Sequence, residues 1–72
     1  MTDVRVYERE DPTMPQQARS AVLTPHWYSR YVIVYGDRGH SWWELPGSWR
    51  SRPDAEAEVR RIWGRTRIGA RV

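Results

Sequence analysis

Two rhythms of apolar and polar positions divide this chain. Trp27 to Tyr35 is rich in aromatic and β-branched residues, the composition of a strand. Gly36-Asp37-Arg38-Gly39 follows, with two glycines able to take positive φ in a turn. Ser41-Trp42-Trp43-Glu44-Leu45 resumes the extended pattern. The segment reads as a β-hairpin with strands over 27–35 and 41–45; Pro46-Gly47 ends or kinks the second strand, and Trp49 is a candidate to extend it past a bulge.

The second rhythm is helical. Ala55, Val59, Ile62 and Trp63 fall at i, i+4, i+7 and i+8, one apolar stripe of a helix over 52–63. Ser51 is placed to cap it, with Asp54 at the capping-box position and Pro53 in the first turn, where its missing N–H costs nothing. Acidic residues at 54, 56 and 58 precede Arg60 and Arg61, the order that complements the helix dipole, and Gly64 is a terminator.

The N-terminal third is less regular. Val4-Arg5-Val6-Tyr7 alternates as a short edge strand over 4–7, and residues 8–15, with four charges and two prolines, form a loop. Thr13 with Gln16 three residues on has capping-box spacing. Met14, Ala18, Ala21 and Val22 then share one face of a short helix ending before Pro25, although residues 19–24 are equally compatible with an extended strand. At the other end, residues 67–72 carry Ile68, Ala70 and Val72 on one side of a possible closing strand. The predicted fold class is α+β: one domain, 1–72, with a small antiparallel sheet packed on a single C-terminal helix.

That architecture raises a question of cover. Tyr31, Ile33 and Tyr35 point to one face of the sheet and Val32 and Val34 to the other; Trp43 and Leu45 share a face, and Trp42 shares the opposite one with Glu44. One amphipathic helix covers one face only. Three covers are open for the second: residues 1–23, a second copy of the chain in a homodimer, or a partner surface on which nucleobases could stack. Trp42, Trp43, Tyr31 and Tyr35 are the corresponding interface candidates.

Size and charge sharpen the picture. A chain of 72 residues buries only about 60% of its unfolded surface. There is no cysteine, so neither disulfides nor thiolate zinc sites stabilise it. Twelve Arg and no Lys stand against nine acidic residues, for a net charge of +3. Arg in place of Lys, with five Trp, suggests a GC-rich genome such as that of an actinobacterium or one of its phages. The charge is uneven: residues 64–72 are a basic segment, and residues 60–72 hold Arg60, Arg61, Arg65, Arg67 and Arg71 without an acid. Those five, extended by Arg50 and Arg52, are candidate phosphate contacts, although short basic runs also serve solubility alone.

Catalytic and cofactor signals are absent. His40 lies beside Ser41 and near Asp37 and Glu44, but sequence neighbours rarely face one another, and no Gly-x-Ser-x-Gly elbow is present. His26 reads as a surface or packing histidine. No phosphate-binding loop, dinucleotide fingerprint or metal-spaced cluster occurs. A chain this short has little room for both a core and a ligand pocket of about 300 Å³ or more. No apolar run approaches the roughly 20 residues that span a bilayer. The N-terminal residues lack the apolar stretch of an export signal, so the expected location is the cytoplasm.

The order strand, strand, helix over residues 27–72, with Arg52-Pro53-Asp54-Ala55-Glu56-Ala57 at the helix start, resembles small actinobacterial and actinobacteriophage accessory proteins built as a ββα(β) unit. It is also faintly similar to the arm-binding modules of phage integrases. No functional residue is carried over from either. The expectation is a small non-catalytic binding protein without cofactor, metal or small-molecule substrate. It contacts nucleic acid through the arginine-rich end; the alternative is a protein-interaction factor that modulates a host protein through exposed Trp and Tyr, possible also as a homodimer.

Overall fold

The computed structural model describes residues 2–37 and 41–64. Five elements run in the order β1 (Thr2–Glu8), α1 (Gln16–Ala21), β2 (Tyr31–Asp37), β3 (Trp42–Trp49) and α2 (Arg52–Trp63). The strands form one antiparallel sheet in the order β1-β2-β3, so the fold is small α+β with the C-terminal helix packed on the sheet.

β2 is central because it is the stretch that can be buried on both sides. Val32, Ile33 and Val34 are an unbroken apolar run, and all three are almost fully buried. Ile33 faces α2 in a cluster with Val4, Ala55 and Val59, fringed by Val6, Tyr31, Tyr35, Leu45, Trp49 and Trp63. Val32 and Val34 face the other way, into a cluster with Tyr7, Met14 and Ala18, against which Val22 and Trp42 pack. The second face of the sheet is therefore covered by the chain's own residues Met14 to Val22, which lie across it as α1 and its flanks.

α2 has the bounds its apolar stripe predicts. Ser51 accepts a hydrogen bond from the Asp54 N–H at 3.2 Å, and the helix ends at Gly64 with φ 62°. Ala55 and Val59 are buried and Trp63 packs on Tyr35, whereas Ile62 stays exposed at the margin of the stripe. α1 forms without the predicted cap. Pro15 occupies the N-cap position, and Thr13 is held instead by Asp11, whose Oδ1 accepts from the Thr13 N–H (2.9 Å) and hydroxyl (2.7 Å). A local Asx turn takes the threonine that a capping box would have used.

The edge strand over 4–7 is present and longer, pairing from Thr2 to Glu8. The hairpin is shifted relative to expectation. Residues 27–30 are not strand, because Pro25 starts a turn closed by the Tyr28 N–H on the Pro25 carbonyl. The second strand runs on to Trp49: between the pairs Ile33–Leu45 and Tyr31–Trp49, β2 advances two residues and β3 four. Pro46 is tolerated there because β3 is an edge strand. Gly47 takes φ 153°, and a Cβ on it would meet the Trp49 indole at 2.5 Å. At the other end, a Cβ on Gly36 would collide with the Ser41 carbonyl, so the chain closes the hairpin at a position only glycine can hold. The candidate strand over 67–72 lies outside the described residues.

Candidate interaction surface

The segment 22–30 joins α1 to β2, and its main chain is tied down from several sides. Glu44 on β3 accepts from the Leu23 N–H (2.8 Å) and the Thr24 N–H (3.1 Å). Arg9, just past β1, donates to the Pro25 carbonyl at 3.0 Å. Ser48 in the β3 bulge donates its hydroxyl to the Tyr28 carbonyl at 2.6 Å. Ser29 is buried; its hydroxyl donates to the Tyr31 carbonyl (2.6 Å) and accepts from the Trp49 N–H (3.0 Å), joining the start of β2 to the end of β3.

The large side chains at 23, 27 and 28 of this ordered loop point outward. Leu23 is 85% exposed, Trp27 83% and Tyr28 50%, and Trp43 on neighbouring β3 is 59% exposed. Trp27 and Tyr28 meet edge to face at 5.9 Å. Ordering a backbone costs about 1–2 kcal/mol per residue, normally offset by burying apolar side chains. Here polar contacts from Glu44, Arg9, Ser48 and Ser29 hold the main chain while the large apolar groups face solvent.

Two of the concavities beside the loop are large. One, of about 500 Å³, is bounded by Leu23, Trp42, Trp43, Pro46 and the end of α1. The other, of about 660 Å³, lies between the turn after β1 and the loop, with Arg9, Trp27, Tyr28, Arg30 and Arg50 on its walls. Glu8 and Glu10 line it too: Arg30 bridges Glu8 at 3.1 Å, and the His26 ring stands 3.7 Å from Glu10.

The residues singled out in the sequence are dispersed rather than gathered. Tyr31 and Tyr35 are half-buried on the α2 side, and Trp42 is half-buried on the α1 side; Trp43 alone of the four is exposed. Arg52 lies over the Tyr31 ring at 5.5 Å and donates to the Val6 carbonyl, so it fastens α2 to β1. Arg61 pairs with Glu58 one turn back, which raises the guanidinium pKa and lowers that of the carboxyl. Arg60 and Arg50 are exposed, and among the described residues neither has an ion-pair partner. Arg65, Arg67 and Arg71 lie outside the described residues, as does His40.

Elsewhere, Arg5 is raised above the usual arginine value, first by its contact with the Tyr7 hydroxyl and also by Asp3. Asp11 is lowered by the Thr13 hydroxyl and N–H that donate to it. Among the described residues no group of three or more His, Cys, Asp or Glu side chains is placed to hold a metal ion. No helix among them is long and apolar enough to cross a membrane.

Leu23, Trp27, Tyr28 and Arg9 were not singled out by sequence. The available signal was Pro25 before His26-Trp27-Tyr28, a turn-former set ahead of an aromatic pair that strand propensity absorbs. No protein-family model matches the chain, and neither a curated protein nor a solved structure matches it.

Proposed function

We propose that this chain is a small non-catalytic protein-interaction factor, acting in the cytoplasm of an actinobacterium or as an accessory protein of one of its phages, with loop 22–30 as its recognition element. The observation that carries the reading is the pairing of a fastened backbone with outward-facing Leu23, Trp27 and Tyr28, extended by Trp43. A pre-ordered loop loses little entropy on binding, and Trp, Tyr and Arg dominate the energetics of protein interfaces. An exposed leucine beside the aromatics suits an apolar protein surface better than a phosphate backbone. The body is also nearly neutral, since the described residues hold eight Arg against nine acids.

The second reading is nucleic-acid contact through the C-terminal end, and it rests on the run of Arg60, Arg61, Arg65, Arg67 and Arg71 without an acid. Affinity capture from an actinobacterial lysate separates the two. One stoichiometric protein partner, lost with Leu23→Asp and Trp27→Ala but kept with Arg67→Ala, supports the first reading. Binding of random-sequence duplex DNA that weakens steeply with salt and is lost with Arg67→Ala, with no protein captured, reverses the order.

A further inference from the structure

The larger concavity beside the loop combines a solvent-facing tryptophan with arginines of unequal status. Arg30 is neutralised by Glu8, and Glu10 has His26 beside it. Arg9 spends one guanidinium N–H on the neutral Pro25 carbonyl, and its buried Nε has no hydrogen-bond partner. Arg50 is exposed on the wall of the cleft without an ion-pair partner among the described residues. The lining holds Arg9, Arg30 and Arg50 against Glu8 and Glu10, a surplus of one positive charge, and Arg9 and Arg50 are the arginines there without a carboxylate partner among the described residues, on the same walls as Trp27 and Tyr28.

We infer that this cleft takes an acidic peptide segment of a partner protein, with an Asp or Glu carboxylate on Arg50 and an adjoining aliphatic or aromatic side chain against Trp27. The inference rests on the protein-binding reading and names its partner chemistry. The guanidinium forks onto a carboxylate through two parallel N–H donors, which adds geometric specificity to the charge attraction. Trp27 and Tyr28 supply flat apolar area at small entropic cost, because each has only two side-chain torsions and the main chain beneath is already fixed. A cleft of about 660 Å³ accommodates a few side chains. A nucleic-acid strand suits the same cleft less well. Its phosphates would follow one another past Glu8 and Glu10, whereas a single carboxylate has only to reach Arg50.

The test pans a library of random twelve-residue peptides on the full chain, followed by fluorescence anisotropy of the enriched peptides and of a labelled oligothymidylate. The expected result is enrichment of Asp or Glu next to an aliphatic or aromatic residue. Binding should fall roughly tenfold or more with Trp27→Ala and with Arg50→Glu. Panning on Arg50→Glu should shift the preference toward basic peptides. Circular dichroism of both variants should match the parent, since both side chains are exposed. Peptides with no acidic preference, indifferent to Arg50→Glu but lost with Leu23→Asp, overturn the acidic occupant and leave the protein-binding loop standing. Failure to enrich any peptide overturns both, and salt-sensitive oligothymidylate binding lost with Trp27→Ala would then assign the cleft to single-stranded nucleic acid.

Discussion

The same residue types meet opposite fates in two regions of this molecule. Under α2, Tyr35 and Trp63 pack at 5.6 Å and Trp49 folds over Gly47, all on the side of Ile33 and Val59. On loop 22–30 and the adjoining part of β3, Trp27, Tyr28 and Trp43 face solvent together with Leu23. The first region is held by its side chains and the second by its main chain, through carboxylate, guanidinium and hydroxyl contacts. A small domain has little apolar area to spare. Leaving four large apolar side chains outside a core whose largest fully buried members are four valines and one isoleucine marks the loop as the part of the chain shaped for something other than its own folding.

The contrast breaks if the sheet centre does not govern stability. Ile33 is fully buried on the α2 side of the central strand. Ile33→Ala should cost about 2–5 kcal/mol, from lost transfer energy and the cavity left behind. A domain of this size loses roughly 4–8 °C in melting temperature per kcal/mol, so the variant should be largely unfolded near 37 °C or melt far below the parent in a thermal scan. A drop of only a few degrees would mean that the two apolar clusters contribute less than the hydrogen-bonded periphery.

Glu44 sharpens the same contrast from the loop side. Its carboxylate is shared by the Leu23 and Thr24 amides. Glu44→Ala should cost about 1.5–3 kcal/mol overall, the range of hydrogen bonds to a charged group. Amide exchange should report it locally, with Leu23 and Thr24 losing protection while Val32 to Val34 change only with global stability. Equal acceleration in loop and sheet would show that loop 22–30 is no separate unit.

The elements held by side-chain burial were legible in the sequence. The stripe Ala55, Val59, Ile62, Trp63 and the cap at Ser51 placed α2 at its observed bounds, and the stretch 27–35 placed the hairpin, although its first strand begins only at Tyr31. What escaped was set by long-range polar contacts. Glu44 reads as a solvent-facing strand residue until the fold brings it to Leu23, and Ser29 and Ser48 carry no signal of the carbonyls they reach. Strand propensity assigned Trp27 to the sheet, and the Pro25 turn removed it. The candidate site was less legible than the fold for the same reason. Exposure of a tryptophan is decided by where its neighbours' backbone is tied, and the arginine run drew attention to a different end of the chain.

Acid titration distinguishes surface fastenings from the core. Asp11 is lowered below its ordinary value near 3.8 by Thr13, and Glu58 below its ordinary 4.5 by Arg61. A carboxylate lowered in the folded state adds stability above its unfolded pKa and loses it as pH falls through the folded value. Melting temperature should therefore hold the full contribution of both groups, without pH dependence from them, between pH 7 and pH ~5, and show a shallow decline below pH ~4.5. Asp11→Asn should flatten part of that decline. Both groups lie at the surface, within reach of solvent screening, so the effect is small beside that of Ile33→Ala. A steep collapse retained in Asp11→Asn and Glu58→Gln would place the acid sensitivity elsewhere.

The smallest expected change in stability is the most telling. Trp27 is 83% exposed and touches Tyr28 edge-on, so Trp27→Ala removes little buried area. Stability should stay within about 0.5 kcal/mol of the parent in urea unfolding, the range of surface substitutions away from structural features. A large tryptophan deleted from a small core would cost about 3–5 kcal/mol. A near-neutral result means that folding does not require the ring where it stands, and its exposure then calls for a binding partner. A loss of about 3 kcal/mol or more would instead make Trp27 part of the structure, and the distinction between a side-chain-held core and a main-chain-held recognition loop would fail at its central residue.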